Sequence, residues 1–282
     1  MTQLLVSVRD MAEAELAFAC RVNYLDIKEP TLGSLGAAPE EVRRAIASKY
    51  AGKIPLSAAA GELFDWESEQ NSAPNMRSHS VELSPETTKA TPWNGYSWAK
   101  IGLARCREID WRSAWLRWQA TLPQMTRGVL VCYADARDCL APQPAELLQF
   151  ALETQVPALT IDTFNKNGPG LCQIWSHHQL QTWAAKLKQS GILSVAAGKL
   201  QFQDLRTLQL CGFDVAAVRG GVCKTVGSGN RSPRTGLLEW RAVMDWRIEC
   251  EGTGAENSIN SLSTDEKSFI NFLESVNCIN KS

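Results

Sequence analysis

Eight short apolar runs, seven of them followed by an amphipathic segment, constrain the fold of this chain more than any other feature. None of the runs alternates cleanly between apolar and polar residues, as a strand with one solvent-exposed face would. A strand that is covered on both faces is typical of a parallel sheet with helices packed against it. The runs that predict strands span residues 4–8, 24–28, 54–61, 98–104, 128–135, 157–164, 193–199 and 215–221.

The eightfold repeat predicts a (β/α)8 TIM barrel in a single α/β domain. The chain has 282 residues, and a barrel of this kind commonly takes about 250 residues. Eight such units in a chain of this length favour a barrel over an open doubly wound sheet. No G-x-G-x-x-G motif follows the first strand, so a Rossmann dinucleotide site is unsupported. The amphipathic segments that predict helices span residues 9–20, 38–50, 111–122, 144–154, 177–191, 201–212 and 236–249.

Two regions interrupt the repeat. Residues 64–95 are polar, rich in Ser, Pro and Asn, and occupy the place of the third helix. This insertion contains either a short helix or a long loop. We expect the catalytic barrel domain to cover residues 1–250. The C-terminal extension, residues 251–282, begins as a linker with room for one short helix near 264–276.

Composition narrows the classes of function. Net charge is −1, from 29 basic and 30 acidic residues, so nothing indicates a nucleic-acid partner. The three histidines are too few for a histidine-built metal site, and none of the nine cysteines forms a C-x-x-C pair. No signal peptide and no run of about 18 apolar residues is present. We therefore expect reduced thiols in a cytoplasmic protein without a membrane partner.

One helix carries three tryptophans on a single stripe. Trp111, Trp115 and Trp118 are spaced at i, i+4 and i+7, which places them on the same helical face. A stripe with this spacing is far more often core packing than a ligand site. We therefore predict that the three rings pack against the barrel.

Charged and small residues stand at the carboxyl ends of the predicted strands. In a TIM barrel these ends form the active-site face. Any one of the residues could be a solvated strand end or half of a structural ion pair, but their convergence on one face indicates a site. They are Asp26, Lys28, Lys100, Tyr133, Asp135, Asp162, Lys166, Gly198, Lys199, Arg219, Gly220 and Gly221.

The lysines and carboxylates suggest imine chemistry. A lysine side chain becomes a better nucleophile when burial or a neighbouring cation lowers its pKa, because more of it is then the neutral amine. Lys28 and Lys100 are two strands apart, so each is predicted to lower the pKa of the other over the barrel mouth. Asp26 lies two residues before Lys28, on the same face of a strand, where it could hold the amine or shuttle protons. Asp162 and Lys166 could supply acid and base steps.

The last two strands predict a phosphate site. Glycines there let backbone N–H groups approach an anion, which is the usual position for phosphate in a TIM barrel. Lys224 could add charge. The polar loop 225–236, with Arg231 and Arg234, is a candidate lid or second anion site. The residues predicted to bind substrate or phosphate are Gly198, Arg219, Gly220, Gly221 and Asp135.

These motifs together resemble one enzyme family. The run "LLVSVRDMAEAE…NYLDIKEPTLGSLGA" is similar to the start of the (5-formylfuran-3-yl)methyl phosphate synthases, with their D-[VI]-K-x-P…G-S-L-G-A signature. The matches stay in order over about residues 4–224. The 64–95 segment and the tail depart from the family pattern without removing a matched position. Further matching motifs are "AKIGL" with Lys100, "YADA" from Tyr133, "IDT" with Asp162 followed by Lys166, "AAG" ending at Gly198, and "VRGGVCK" from Val218.

The resemblance implies a TIM-barrel carbon–oxygen lyase. Such enzymes join two molecules of glyceraldehyde 3-phosphate into a phosphorylated furan, with loss of phosphate and water, for the furan ring of the one-carbon carrier methanofuran. By the matched motifs, Lys28 resembles the Schiff-base lysine and Lys100 the second catalytic lysine. Asp26, Asp162 and Lys166 resemble the remaining acid and base residues. No metal or organic cofactor is implied.

Two other functions stay open on the sequence alone. One is a different lysine-dependent aldolase that acts on sugar phosphates. The other is a non-catalytic barrel that binds a phosphometabolite, although a binding module has no need of paired lysines. In each case we expect a small phosphorylated molecule as the partner, and a homo-oligomer is compatible with the sequence.

Overall fold

The computed structural model describes residues 1–72, 91–224 and 236–252. Its eight parallel strands close into a barrel, in which each strand pairs with the next and the last pairs with the first. The strands are β1 (Gln3–Val8), β2 (Tyr24–Ile27), β3 (Leu56–Glu62), β4 (Trp98–Gly102), β5 (Arg127–Tyr133), β6 (Ala158–Asp162), β7 (Leu193–Ala196) and β8 (Val215–Val218).

Helices follow every strand, which confirms the predicted (β/α)8 barrel. None of the helices in the described ranges has the length and apolar character needed to cross a bilayer. Two short 3-10 helices, Pro30–Leu32 and Gly220–Val222, follow β2 and β8. The α-helices are α1 (Met11–Ala19), α2 (Glu40–Tyr50), α3 (Leu63–Ser72), α4 (Trp111–Ala120), α5 (Pro144–Thr154), α6 (Leu171–Ile174), α7 (His177–Gln189), α8 (Asp204–Cys211) and α9 (Trp240–Glu251).

The predicted insertion begins as helix α3, so the short-helix alternative holds for its first part. Leu63 is fully buried, and Phe64 and Trp66 pack against the core from one turn of this helix. The apolar face of α3 is short and the residues after it are polar, so the sequence alone could not decide between a helix and a loop. Three other predictions fall mainly on residues outside the described ranges: residues 73–90 of the insertion, the loop with Arg231 and Arg234, and the C-terminal extension from residue 253 onward.

The barrel interior changes from apolar to polar along its axis. Leu5, Tyr24, Val129, Val195 and Val215 form a buried cluster near the amino ends of the strands. These side chains fill the lower part of the barrel, as branched residues do in this fold. Polar residues occupy the opposite end, where the large cavity of the barrel opens.

The tryptophan stripe of α4 packs as predicted. Trp111, Trp115 and Trp118 are 4%, 3% and 2% exposed. The Trp115 ring lies 5.6 Å from the ring of Phe150 on α5, centroid to centroid, in an edge-to-face arrangement. Asp110 caps the helix by accepting a hydrogen bond from the Ser113 N–H. The stripe therefore fixes α4 on the barrel and against α5.

The thiols within the described ranges are all unpaired. Eight of the nine cysteines lie there, and six of them are buried. Burial raises the pKa of Cys106 and Cys139 to about 12, so both remain protonated at neutral pH. The described part of the chain brings together no group of three or more histidine, cysteine or carboxylate side chains suited to a metal ion.

We predict that Trp115→Ala lowers the free energy of unfolding by about 3–5 kcal/mol, because it removes a buried ring and leaves a cavity. Urea unfolding followed by circular dichroism measures this change. The matched control is Leu116→Ala on the same helix, where the side chain is 48% exposed and the expected loss is below about 1 kcal/mol. Equal losses in the two variants would contradict the packing role of the stripe.

Candidate active site

A cavity of about 560 Å³ opens at the carboxyl ends of the strands. We call it the main cavity. Of the ten residues that the sequence predicted for the site, nine line it, and only Asp135 does not. The nine are Asp26, Lys28, Lys100, Asp162, Lys166, Gly198, Arg219, Gly220 and Gly221.

Asp26 is fully buried and accepts hydrogen bonds from three neighbouring strands. Lys100 Nζ on β4 lies 2.6 Å from its Oδ1, and Ser57 Oγ on β3 donates to the same oxygen at 2.9 Å. Ser7 Oγ on β1 donates to Oδ2 at 2.9 Å. Burial alone would raise the pKa of Asp26, but the charges of Lys100 and Lys28 outweigh it and hold the pKa below its usual value.

This arrangement revises the predicted partner of Asp26. The carboxylate was expected to hold the Lys28 amine, and it pairs instead with Lys100. The strand register explains the geometry, because Ser7, Asp26 and Ser57 are aligned side by side on β1, β2 and β3. The two serines were missed, although a serine inside an otherwise apolar strand is a readable signal of a buried polar contact.

A second ion pair lies on the opposite side of the main cavity. Lys166 Nζ is 2.8 Å from Asp162 Oδ1 and also donates to the Thr163 carbonyl. Ser34 Oγ, from the loop after β2, donates to Asp162 Oδ2 at 3.1 Å. Burial opposes ionisation of Asp162, yet the charges of Lys166 and Lys28 keep its pKa below the usual value.

Lys28, the third lysine of the predicted catalytic set, has no carboxylate partner in the described ranges. Its side chain opens into the main cavity, and no hydrogen bond or ion pair joins its Nζ to any residue in the described ranges. Burial, reinforced by the charges of Lys166 and Lys100, lowers its pKa from 10.5 to about 8 against the opposing charges of Asp162 and Asp26. Lys166 contributes more to this shift than Lys100, the neighbour that the sequence suggested.

The predicted phosphate residues form one edge of the main cavity. Gly198 follows β7 with φ +89°, and a Cβ there would lie 2.8 Å from the Thr163 backbone nitrogen, so only glycine fits. Its N–H donates to no acceptor in the described part of the chain. Gly220 and Gly221 begin the 3-10 helix after β8 on the same edge. The backbone can therefore approach an anion closely here.

Arg219 differs from its predicted role as a phosphate ligand. Its guanidinium forms a bidentate ion pair with Glu13, at 2.7 and 3.0 Å, and is almost fully buried. It also donates to the Ser7 and Gly236 carbonyls. These contacts direct the charge into the protein, so we assign Arg219 to holding the turn after β8 in place.

Asp135 also differs from its predicted role. Its two carboxylate oxygens each accept a backbone hydrogen bond at 2.7 Å, from the N–H groups of Phe164 and Asn165. The residue therefore supports the turn that leads to Lys166 rather than contacting the main cavity. A sequence can place a carboxylate at a strand end but cannot show which donors it faces.

Glu62 and Tyr133 form a polar contact that the sequence analysis did not anticipate. The Tyr133 hydroxyl donates to Glu62 Oε1 at 2.7 Å, and the Ala104 N–H donates to Oε2 at 2.9 Å. Burial raises the pKa of Glu62 despite these donors, and it raises the pKa of Tyr133 as well. The pair joins the ends of β3 and β5 beside the main cavity, with Gly102 of β4 between them.

A closed parallel barrel with lysines and carboxylates gathered at the carboxyl ends of its strands defines a (β/α)8-barrel enzyme. The sequence profile of the 4-HFC-P synthase family matches residues 4–235. The chain belongs to this family. Membership in a synthase family makes it an enzyme, in agreement with the resemblance found in the sequence.

Relatives in bacteria and archaea support this assignment. A protein from Methylorubrum extorquens, named for (5-formylfuran-3-yl)methyl phosphate synthase activity, is 30% identical over 222 residues, covering 79% of this chain and 83% of that protein. The (5-formylfuran-3-yl)methyl phosphate synthase of Methanosarcina mazei is 25% identical over 241 residues, covering 84% and 96%. That of Methanocaldococcus jannaschii is 24% identical over 256 residues, covering 88% and 99%.

Solved structures share the fold at low sequence identity. Phosphoribosyl anthranilate isomerase from Thermotoga maritima aligns with a TM-score of 0.54 and 10% identity, over 89% of this chain and 100% of that one. Thiamine phosphate pyrophosphorylase from Pyrococcus furiosus aligns with a TM-score of 0.52 and 11% identity, over 89% and 96%. These similarities concern the barrel fold alone.

We predict that Lys28 titrates near pH 8, because burial and Lys166 disfavour its charged form. Reductive ¹³C-methylation of the lysines, followed by an NMR pH titration, measures this value, and Lys28→Met identifies the signal by removing it. Asp162→Asn should move the midpoint down and Lys166→Met should move it up, since their charges act in opposite directions. A midpoint near 10.5 in every variant would contradict the electrostatic origin of the shift.

We also predict that Asp135→Asn speeds amide hydrogen exchange at Phe164 and Asn165 by about tenfold or more, because an amide side chain cannot accept both backbone hydrogen bonds. Exchange measured by NMR or mass spectrometry reports the change. Asp138→Asn is the matched control, since Asp138 is an exposed carboxylate three residues further on. If both variants exchange like the unaltered protein, Asp135 does not support the turn.

Proposed function

We propose that this enzyme joins two molecules of glyceraldehyde 3-phosphate into (5-formylfuran-3-yl)methyl phosphate, with loss of phosphate and water, through a Schiff base on Lys28. The observation that carries the proposal is the unpaired Lys28 amine, whose pKa is lowered to about 8 within a cavity that holds two further lysine–carboxylate pairs. The names of the relatives indicate the product.

The lowered pKa of Lys28 suits imine formation. With a pKa of about 8, roughly one amine in ten is neutral at pH 7, against about one in three thousand for an ordinary lysine. The neutral amine adds to the substrate aldehyde or ketone carbon and forms a carbinolamine. Loss of water from that adduct gives the imine, which acidifies the neighbouring C–H bond for carbon–carbon bond formation.

The two ion pairs supply proton donors and acceptors on either side of this amine. Both aspartates have lowered pKa values and are ionised at neutral pH, so each can accept a proton. Lys100 and Lys166 can donate one to a departing hydroxyl or phosphate group. Asp26 and Lys100 are therefore proposed to transfer protons on one side of the substrate, and Asp162 and Lys166 on the other.

The edge formed by Gly198, Gly220 and Gly221 is proposed to bind a substrate phosphate. Support comes from the Gly198 N–H, which donates to no acceptor in the described part of the chain, and from the position of all three glycines on the cavity wall. Two phosphorylated substrates need two anion sites. The second, in the loop with Arg231 and Arg234, stays a prediction because this loop lies outside the described residues.

The resemblance further suggests that the product supplies the furan ring of a methanofuran-type one-carbon carrier. In the resulting proposal the chain is a carbon–oxygen lyase acting on phosphates. A lysine-dependent aldolase for another sugar phosphate would share the imine but would not release phosphate from glyceraldehyde 3-phosphate. The two activities can therefore be separated in one assay.

We predict that the purified enzyme, given only glyceraldehyde 3-phosphate, releases inorganic phosphate and forms a near-ultraviolet-absorbing furan aldehyde. Borohydride added during turnover should attach substrate carbon to Lys28, because reduction fixes the imine. The trapping rate should rise with pH, with a midpoint near 8, as the free amine accumulates. Lys28→Ala should abolish both the trapping and the product.

Lys53→Ala is the matched control, since Lys53 is an exposed lysine between α2 and β3, away from the main cavity. This variant should retain full activity and full trapping. Absence of both phosphate and furan in the unaltered enzyme would refute the proposed reaction. Product formation with no adduct, or with an adduct that persists in Lys28→Ala, would refute only the assignment of the imine to Lys28 and would leave the proposed reaction standing.

A further inference from the structure

Thr160 is a buried polar residue that the proposed mechanism leaves unused. It lies on β6, two residues before Asp162, and is 4% exposed. Its Oγ1 has no hydrogen-bond partner in the part of the chain that the structure describes. The neighbours aligned with it on β5 and β7 are Val131 and Val195, which offer no polar group. A buried hydroxyl of this kind is costly unless something outside the chain binds it.

The position of Thr160 indicates what that partner contacts. Thr160 and Lys100 line the main cavity and also a narrow cavity beneath it, which is otherwise walled mainly by apolar residues. They are the two residues common to both cavities. They therefore form the boundary between the polar upper part of the barrel and its apolar lower part, which we call the cavity floor.

The chemistry of the cavity floor favours an oxygen atom as ligand. The Lys100 ammonium has three N–H donors, and Asp26 takes one of them. The Thr160 hydroxyl can both donate and accept. A carbonyl or hydroxyl oxygen can receive a hydrogen bond from each, and a hydroxyl can also donate back to Thr160. A phosphate fits less well, because Asp26 would repel its charge.

We propose that Thr160 Oγ1 and Lys100 Nζ together bind a carbonyl or hydroxyl oxygen on the carbon chain of the substrate, at the cavity floor. This subsite would orient the short polyol chain while its phosphate occupies the glycine edge. The identity of the substrate as a triose phosphate rests on the proposed function. Thr160 is then a specificity-determining residue that distinguishes a hydroxylated chain from a bare phosphate.

Calorimetric titration with glycerol 3-phosphate and with inorganic phosphate tests this subsite without requiring turnover. The unaltered enzyme should bind glycerol 3-phosphate more tightly than phosphate. Thr160→Val should weaken glycerol 3-phosphate binding about five- to tenfold, the usual effect of losing one hydrogen bond. Its affinity for phosphate should stay within about twofold, and Thr160→Ser should restore the binding of glycerol 3-phosphate.

Thermal unfolding separates this role from a structural one. Thr160→Val should leave the Tm unchanged or raise it, because the hydroxyl has no hydrogen-bond partner to lose among the described residues. The control Thr2→Val removes a buried hydroxyl that donates to the Phe213 carbonyl at 2.9 Å. It should lower the Tm and leave both affinities intact.

Three results would overturn the inference: equal affinity of the unaltered enzyme for both ligands, unchanged glycerol 3-phosphate binding in Thr160→Val, or equal weakening of both ligands. Failure to form the furan, with the binding difference intact, would refute the proposed reaction and leave the subsite standing. Furan formation without the binding difference would refute the subsite and leave the proposed reaction standing.

Discussion

The buried carboxylate of Asp26 is the interaction on which the rest of the site depends. It joins four consecutive strands, because β2 carries it and its donors come from β1, β3 and β4. An isolated charge at this depth would be very unfavourable, so the three donors are a condition for folding as well as for chemistry. Their arrangement also fixes where Lys100 can lie. The geometry of this half of the cavity is therefore set by the barrel itself rather than by its loops.

Three of the four lysines that line the main cavity differ in their partners, namely Lys28, Lys100 and Lys166. Lys100 and Lys166 each have a carboxylate within 2.8 Å, whereas Lys28 has none in the described ranges and interacts electrostatically with both pairs. Burial and the neighbouring cations lower the pKa of Lys28, while the charges of the two aspartates limit that shift. A single cavity can thus hold ammonium donors and a partly neutral amine at the same pH, and chemistry that needs both depends on that separation.

The sequence predicted the barrel and the face that carries the site, because strand periodicity and strand ends follow from local pattern alone. Lys28, Lys100 and Asp162 were found in this way. The pairing of Asp26 with Lys100, the inward contacts of Arg219 and the loop-supporting role of Asp135 could not be found, since each depends on which donors the fold brings near. Thr160 was also missed, because a threonine in a β-strand has no distinctive pattern until its lack of a partner is visible.

The contacts of Arg219 join the last strand of the barrel to the first strand and the first helix. This residue comes directly after the last strand, and it binds both Glu13 on the first helix and the carbonyl of Ser7, the residue whose hydroxyl holds Asp26. The first strand therefore receives its final support only after most of the chain has been synthesised. We infer that a nascent chain ending before Arg219 carries the lysines and carboxylates but not their fixed arrangement.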